Sequence, residues 1–302
     1  MKKFKKVLSL ALVVVVAVTA FTACGSKKES NKGTIKVGSK NFTENLILAE
    51  VYSLALEDAG YEVDRVFNVA SSAIHTAIVK GDVELYPEYT GTGLLSVLKL
   101  PIETDPQKAY DIVKEQYKKK YNIDWLDYAD VNDSQGIVIT TKAAKKYNIK
   151  TLTDLQKHAS ELRFASQGEF DEREDGLPAM NKTYGEFKWK STNVYDTGLL
   201  YEILLQDKAD VAPAYTTAGQ LTQKEFTVLE DDKHIWPPYN IAPIVKSEVL
   251  EKNPDIADVL NKVSKKLDNK TIIELNAKVD IDKEEYEEVA SDYYDSIKDS
   301  LK

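Results

Sequence analysis

The sequence predicts an α/β protein made of two similar units, with the chain crossing twice between them. From residue 34 to residue 85, stretches with strand-like alternation and stretches with a helical apolar face follow each other, which is typical of a parallel sheet. An acidic residue, a short apolar strand, a proline, an aromatic residue and hydroxyl residues occur in this order at residues 82–90 and again at 210–217. A further apolar strand at residues 241–245 can return to the first unit. Two crossings predict a hinge and a cleft between the units.

The first unit is predicted to place three polar loops at one edge of its sheet. Lys40, Ser71 and Tyr89 each follow a predicted strand. Because the carboxyl ends of parallel strands lie at the same edge, we expect these three residues to converge there. The predicted strands lie at residues 34–38, 61–69, 83–85 and 123–126, and the helices begin at Thr43, after Ser71 and at Pro106.

The second unit is predicted to begin where the polar residues 132–135 lead into an apolar strand. We therefore expect lobe I to comprise residues 34–134 and 241–302, and lobe II to comprise residues 135–240. Strands of lobe II are predicted at residues 136–140, 163–165, 191–195, 210–212 and 226–229, with helices from residue 151 and over residues 196–206. Helices at residues 248–267 and 283–301 are predicted to close the chain.

The amino-terminal residues have the pattern of a secretory signal peptide. Lysines are followed by an uncharged apolar run, and small residues precede Cys24, the only cysteine of the chain. We expect residues 1–23 to be removed, Cys24 to be lipidated and residues 24–33 to form a tether, which predicts an extracytoplasmic protein anchored to the outer face of the cell membrane. A plain cleavage site with a chance cysteine is the alternative.

The composition excludes several classes of protein. The net charge is −9, and loss of the four lysines at the amino terminus makes it −9 − 4 = −13, which argues against nucleic acid as a partner. The three histidines are far apart in sequence, so neither a metal site nor a cofactor is expected. We find no G-x-S-x-G or H-E-x-x-H motif, and we predict that the chain is not an enzyme.

Arginine is rare in this chain, which directs attention to Arg173. Only Arg65, Arg163 and Arg173 are arginines among 40 basic residues. Arg173 follows a predicted strand in a loop bordered by glycines, where its fork of donors suits a carboxylate. A salt bridge to one of the neighbouring acidic residues is the structural alternative.

Three tyrosines follow strand ends or proline turns and are candidates for an aromatic cage. Tyr89, Tyr215 and Tyr239 could surround a quaternary ammonium group, which has no N–H to donate. Each desolvated ring face can contribute up to about 2 kcal/mol. Packing of these rings in the core or at the hinge is the alternative interpretation.

Several of these motifs together resemble a known family. They are Gly38-Ser39-Lys40 with Glu44, residues 86–92, Arg173 with residues 175–178, residues 210–217 and residues 237–240. They look like the substrate-binding lipoproteins of osmoprotectant ABC importers, which bind glycine betaine, carnitine, choline or related compounds. The resemblance covers essentially all of residues 33–302.

The resemblance implies a type II periplasmic-binding fold with the ligand in the cleft between the lobes. It also implies that Tyr89, Tyr215 and Tyr239 are cage walls and that Lys40, Thr92 and Arg173 hold a ligand carboxylate. Such proteins usually have a further cage tyrosine where this chain has Gln135. Loss of that ring weakens a cage for a trimethylammonium group, and the amide of a glutamine can hydrogen-bond a larger polar ligand. Glycine betaine, carnitine and a bulkier betaine, such as a histidine-derived one, are therefore the expected ligands.

We therefore predict the solute-binding component of an ABC importer. It is expected to be a monomer that closes over a quaternary ammonium zwitterion and delivers it to a permease subunit, with the lipid anchor as its membrane contact. A binding protein or sensor for another small zwitterion, such as an amino acid, is the alternative, because Asp133 beside Gln135 could pair with an amine.

Overall fold

The computed structural model describes residues 32–172 and 174–301. The predicted signal peptide, Cys24, most of the predicted tether and Arg173 lie outside the described residues. Within the described part of the chain, no helix combines the length and the apolar character needed to cross a membrane.

The described residues contain two mixed sheets of five strands each. The sheet of lobe I has the order β2-β1-β3-β10-β4, formed by β1 (Thr34–Lys40), β2 (Glu62–Val69), β3 (Leu85–Tyr89), β4 (Ile123–Trp125) and β10 (Ile241–Lys246). The sheet of lobe II has the order β7-β6-β8-β5-β9, formed by β5 (Gln135–Thr140), β6 (Arg163–Ser166), β7 (Ser191–Val194), β8 (Val211–Tyr215) and β9 (Phe226–Val228).

Helices pack around both sheets. In chain order they are α1 (Thr43–Asp58), α2 (Ile74–Lys80), α3 (Pro106–Tyr121), α4 (Thr141–Tyr147), α5 (Leu152–His158), α6 (Glu169–Glu172), α7 (Leu177–Tyr184), α8 (Leu200–Leu205), α9 (Ser247–Lys252), α10 (Asp255–Ser264), α11 (Asn269–Asp280) and α12 (Tyr286–Ile297). Each lobe buries its own apolar clusters, for example around Tyr52 in lobe I and around Phe164 in lobe II.

The two sheets share one topology, and this confirms the predicted α/β fold class. In lobe I, β1 is parallel to β2 and β3, whereas β10 is antiparallel to β3. In lobe II, β6 is parallel to β7 and β8, whereas β5 is antiparallel to β8. The antiparallel strands β5 and β10 each begin directly after a crossing between the lobes. The crossings contact each other, because Asn132 and Asn240 form an antiparallel bridge.

The strand before Tyr89 is longer than the sequence predicted. We expected it to end before Pro87, but β3 continues through Pro87 to Tyr89, and all of its residues are buried. Pro87 lies opposite Pro243 of β10, so two residues without an N–H face each other in the ladder. The carbonyl oxygen of Pro87 accepts a hydrogen bond from the side-chain amide of Asn45, 2.9 Å away.

The carboxy-terminal helices also differ from the prediction. The single helix expected at residues 248–267 is divided into α9 and α10 around Asn253-Pro254, because proline cannot continue the hydrogen-bonded helix. Helix α11 was not predicted at all. It packs against the short helical turn Gly219–Thr222 of lobe II, so a helix late in the sequence joins the two lobes.

This contact yields a test of how the lobes are joined. A Cβ atom at Gly219 would lie 2.5 Å from the backbone nitrogen of Ala277 in α11. We expect Gly219→Ala to reduce the free energy of unfolding by about 1–3 kcal/mol, because backbone cannot move aside as a flexible side chain can. The matched control is Gly198→Ala, because no atom lies within 4 Å of a Cβ built at Gly198. Equal thermal unfolding midpoints for the two variants would contradict this account.

Candidate ligand-binding site

Tyr89 and Tyr215 occupy equivalent positions in the two lobes. Tyr89 is the last residue of β3, which is parallel to β1 and antiparallel to β10. Tyr215 is the last residue of β8, which is parallel to β6 and antiparallel to β5. Tyr89 pairs with Ile241, the first residue of β10, and Tyr215 pairs with Gln135, the first residue of β5. The repeated sequence pattern therefore corresponds to a structural repeat. Because directly opposed residues share one sheet face, Gln135 and Tyr215 lie side by side.

The ring of Tyr89 is buried and lies between the ammonium of Lys40 and the carboxyl group of Glu44. Only 3% of Tyr89 is exposed. The ammonium of Lys40 lies 4.7 Å from the centroid of its ring, and the ring of Phe42 lies 5.9 Å away. Its hydroxyl donates a hydrogen bond to Oε1 of Glu44 over 2.8 Å. Tyr89 also shares one buried apolar cluster with Tyr239.

Tyr239 holds the two crossings together. Its backbone N–H donates to Oδ1 of Asn132 over 2.7 Å, and its carbonyl accepts from the N–H of Asp133 over 3.2 Å. Its ring lies directly against Gly91, where an added Cβ would be 2.6 Å from a ring carbon. Its hydroxyl donates to Oδ2 of Asp175 over 2.7 Å. Asp175 lies two residues after Arg173 in the sequence. The loop predicted to carry the anion site therefore contacts the second crossing at Asp175.

Lys40 is held by a carboxylate of the protein itself. Its ammonium forms an ion pair with Glu88, and the two side chains are only 3% and 1% exposed. Glu88 also accepts hydrogen bonds from the hydroxyl of Tyr86 and the N–H of Tyr89, each over 2.8 Å. The charge of Lys40 is therefore balanced inside lobe I.

The other predicted residues lie in more varied surroundings. Tyr215 is 39% exposed, and Thr92 is half-buried at the start of the π-helical turn Thr92–Val97. Ser71 is exposed, and its hydroxyl donates to Oδ1 of Asn41 over 3.3 Å. Gln135 is buried and borders a cavity of about 570 Å³ that Trp236 also lines. The structure thus brings Lys40, Tyr89 and Tyr239 into one buried region, and it places Gln135 beside Tyr215.

A polar junction that we did not predict from the sequence connects the lobes next to the hydroxyl of Tyr89. The hydroxyl oxygen of Thr217, two residues after the end of β8, lies 2.6 Å from Oε2 of Glu44 and 2.6 Å from Oδ1 of Asp133. The side-chain amide of Asn276 in α11 donates to the carbonyl of Thr217 over 2.9 Å and to Oε2 of Glu44 over 3.2 Å. We call Glu44, Asp133, Thr217 and Asn276 the acid junction.

Burial at the acid junction raises the pKa of both carboxyl groups. Burial, and then the neighbouring Asp133, raise the pKa of Glu44 well above the ordinary range of a glutamate. Burial also raises the pKa of Asp133, although hydrogen bonds from Thr217 and the charge of Lys40 oppose this. The sequence offered two signals for this junction, because Glu44 belongs to the motif around Lys40 and Thr217 to the repeated pattern.

Known proteins share this arrangement of sequence and fold. Residues 33–296 match the family described as the substrate-binding domain of ABC-type glycine betaine transport systems. The chain is 31% identical over 264 residues to the ergothioneine transport permease/ergothioneine binding protein EgtU of Helicobacter pylori. That match covers 86% of this chain and 47% of the relative, so the chain spans about half the length of that protein.

Two further matches extend over most of both chains. The carnitine transport binding protein OpuCC of Listeria monocytogenes is 31% identical over 255 residues, which cover 83% of this chain and 82% of OpuCC. A crystal structure described as a glycine betaine/carnitine/choline ABC transporter has a TM-score of 0.80 and 29% identity, covering 87% of this chain and 98% of that one. The chain belongs to the family of substrate-binding domains of ABC-type glycine betaine transport systems.

Proposed function

We propose that this protein is the extracytoplasmic binding component of an ABC importer and that it binds a quaternary ammonium zwitterion between its two lobes. The observation that carries the proposal is the placement of Tyr89 and Tyr215 at equivalent strand ends of the two sheets, with Tyr239 on the crossing between them. The family match supports the transport role.

The tyrosines supply the cation site in this proposal. A permethylated amine cannot donate hydrogen bonds, so ring faces attract it without requiring an acidic partner. Tyr215 is the most exposed of the three rings and can cover a ligand from lobe II.

Arg173 and Thr92 supply the carboxylate site in this proposal. Asp175, two residues after Arg173 in sequence, accepts a hydrogen bond from Tyr239. Lys40 is assigned a supporting role, because its ammonium already pairs with Glu88. Ser71 remains a proposed polar contact at the rim of the sheet.

The ligand class follows from Gln135. Gln135 pairs with Tyr215 in the sheet, and its side-chain amide can hydrogen-bond a polar group that glycine betaine lacks. The relatives named for carnitine and ergothioneine bind larger betaines than glycine betaine, and we propose a ligand of that size.

The proposal includes the remaining expectations from the sequence. These are a signal peptide over residues 1–23, lipidation at Cys24, a tether over residues 24–33, a monomeric state and a permease subunit as partner. Lobe I then comprises residues 34–134 and 241–302, and lobe II comprises residues 135–240.

Paired ligands test the proposed cation site. We expect ergothioneine or glycine betaine to bind, whereas 2-thiohistidine or glycine, their unmethylated counterparts, bind at least about tenfold more weakly, a difference of about 1.4 kcal/mol. Calorimetry measures both members of each pair, with carnitine as a further ligand. Tighter binding of the unmethylated compounds would support the amino-acid alternative and overturn this proposal.

Two substitutions test the residues that hold the ligand. Arg173→Ala and Tyr215→Ala are each expected to weaken binding of the best betaine about tenfold or more. The first variant loses the proposed contact with the ligand carboxylate, and the second loses one ring of the proposed cage around the ammonium group. Tyr147→Ala is the control, since Tyr147 lies in the same lobe at the end of α4, away from the strand ends. Unchanged affinity in both variants, measured by calorimetry, would exclude these residues from the site.

A double-variant experiment tests the supporting role of Lys40. Lys40→Met is expected to lower the free energy of unfolding by about 3–5 kcal/mol, because it leaves the carboxylate of Glu88 buried without its cation. Lys40→Met combined with Glu88→Gln should recover most of this loss in thermal unfolding without ligand. A stable Lys40→Met variant that has lost betaine binding would instead show direct contact between Lys40 and the ligand.

A further inference from the structure

We infer that Glu44 and Asp133 hold one proton between them when the lobes are arranged as in this structure, that this arrangement is the closed form to which the ligand binds, and that ligand binding is coupled to proton uptake. In this role Glu44 is a positioning residue, which connects the ring of Tyr89 in lobe I to Thr217 in lobe II. The inference rests on the proposed function for its ligand, but its structural part can be tested without one.

The hydrogen-bond count at Thr217 requires this proton. The hydroxyl oxygen lies 2.6 Å from a carboxyl oxygen of Glu44 and 2.6 Å from one of Asp133. A hydroxyl group has one proton to donate, so it can donate to one of these oxygens only. The second short contact is a hydrogen bond only if the other carboxyl group is protonated and donates to Thr217.

The surroundings place the proton on Glu44. Glu44 is 4% exposed, and its burial raises its pKa although hydrogen bonds from the hydroxyl of Tyr89 and the amide of Asn276 oppose this. Asp133 is less buried and lies in the field of the Lys40 ammonium, which favours its charged form. Glu44 then donates to Thr217, and Thr217 donates to Asp133.

The junction connects parts of the chain that hinge motion displaces. Glu44 lies in the first turn of α1 in lobe I, whereas Thr217 follows β8 of lobe II and Asp133 lies in the first crossing. In the open form that we infer, Thr217 and the turn after it separate from Glu44 and α11, and water reaches both carboxyl groups. In water each carboxyl group has an ordinary acidic pKa of about 4, so the proton is released.

Among residues 32–172 and 174–301, other charged and titratable groups face the junction from the elements that pack on it. They are Lys40 from β1, Glu88 and Tyr89 from β3, Tyr201 from α8 and Asp280 from α11. Lys40 and Glu88 neutralise each other, and Asp280 accepts a hydrogen bond from Thr43 over 2.6 Å. None of these groups supplies a second cation to replace the shared proton.

The sign of the pH dependence follows from proton linkage. The closed form binds more protons than the open form between the ordinary pKa of a carboxyl group and the raised pKa of Glu44. Closure, and with it ligand affinity, is therefore strongest at the acidic end of this range and weakens as the pH rises. One linked proton changes the dissociation constant by at most about tenfold per pH unit.

Calorimetry and scattering at two pH values test the inference. We expect carnitine, glycine betaine or ergothioneine to bind at least tenfold more weakly at about pH 8.5 than at about pH 5.5, with uptake of up to one proton measured in buffers of different ionisation enthalpy. Small-angle X-ray scattering of the ligand-free protein should show a larger radius of gyration at the higher pH.

Variants separate this role from a merely structural one. Glu44→Gln is neutral at every pH and should remove the pH dependence of both affinity and radius. Thr217→Val, which keeps the side-chain shape without the hydroxyl, should do the same if Glu44→Gln does not fold. Glu50→Gln is the control, because Glu50 is a buried carboxylate of the same helix that pairs with Arg65 instead, and it should retain the wild-type pH profile.

The outcomes distinguish this inference from the proposed function. Betaine binding with the same affinity and radius at both pH values would overturn the inference and leave the function intact. A pH-dependent radius that Glu44→Gln abolishes, in a protein that binds none of the three compounds, would support the proton and overturn the proposed ligand. A wild-type pH profile in both Glu44→Gln and Thr217→Val would assign the effect to other groups.

Discussion

The rest of the structure depends on one constraint. Each strand that follows a crossing between the lobes pairs with a strand that ends in a tyrosine. Ile241, the first residue of β10, pairs with Tyr89 at the end of β3. Gln135, the first residue of β5, pairs with Tyr215 at the end of β8. The crossings therefore begin where the tyrosine strands end. The hinge and the candidate ligand site are built from the same few residues, so a change of lobe angle necessarily changes the surroundings of the rings.

Charge is buried at this hinge in two different ways. Lys40 and Glu88 form a nearly inaccessible ion pair, and Glu88 also accepts hydrogen bonds from the hydroxyl of Tyr86 and the backbone N–H of Tyr89. Glu44 and Asp133 are two acidic groups that repel each other when both are charged. A shared proton relieves this repulsion while they are buried, and separation of the lobes relieves it by exposing them to water. The first pair stiffens lobe I, whereas the second makes the contact between the lobes conditional.

The sequence allowed the architecture and the rings to be predicted, because both depend on local patterns. Strand alternation predicted the two sheets, and the repeated acidic, apolar, proline and aromatic order predicted the equivalence of Tyr89 and Tyr215. The family assignment was likewise carried by short motifs around Lys40, Tyr89 and Tyr215. Position within a motif does not report what a side chain contacts, and for that reason the pairing of Lys40 with Glu88 was missed.

The acid junction could not be derived from the sequence, because its contacts join distant segments. Glu44 and Thr217 are 173 residues apart, and Glu44 and Asn276 are 232 residues apart. Helix α11, which carries Asn276, was absent from the prediction. The register that keeps Pro87 inside β3 likewise depends on Pro243, which only the return of the chain to lobe I brings into place.

The most direct test of the account is the identity of the small molecule that the protein retains when it is purified from its own cells. Mass spectrometry of the denatured protein's filtrate identifies that compound without any assumption about its class. The account predicts a molecule with both a quaternary ammonium group and a carboxylate, larger than glycine betaine. A retained primary amino acid, or a ligand without a fixed positive charge, would contradict it.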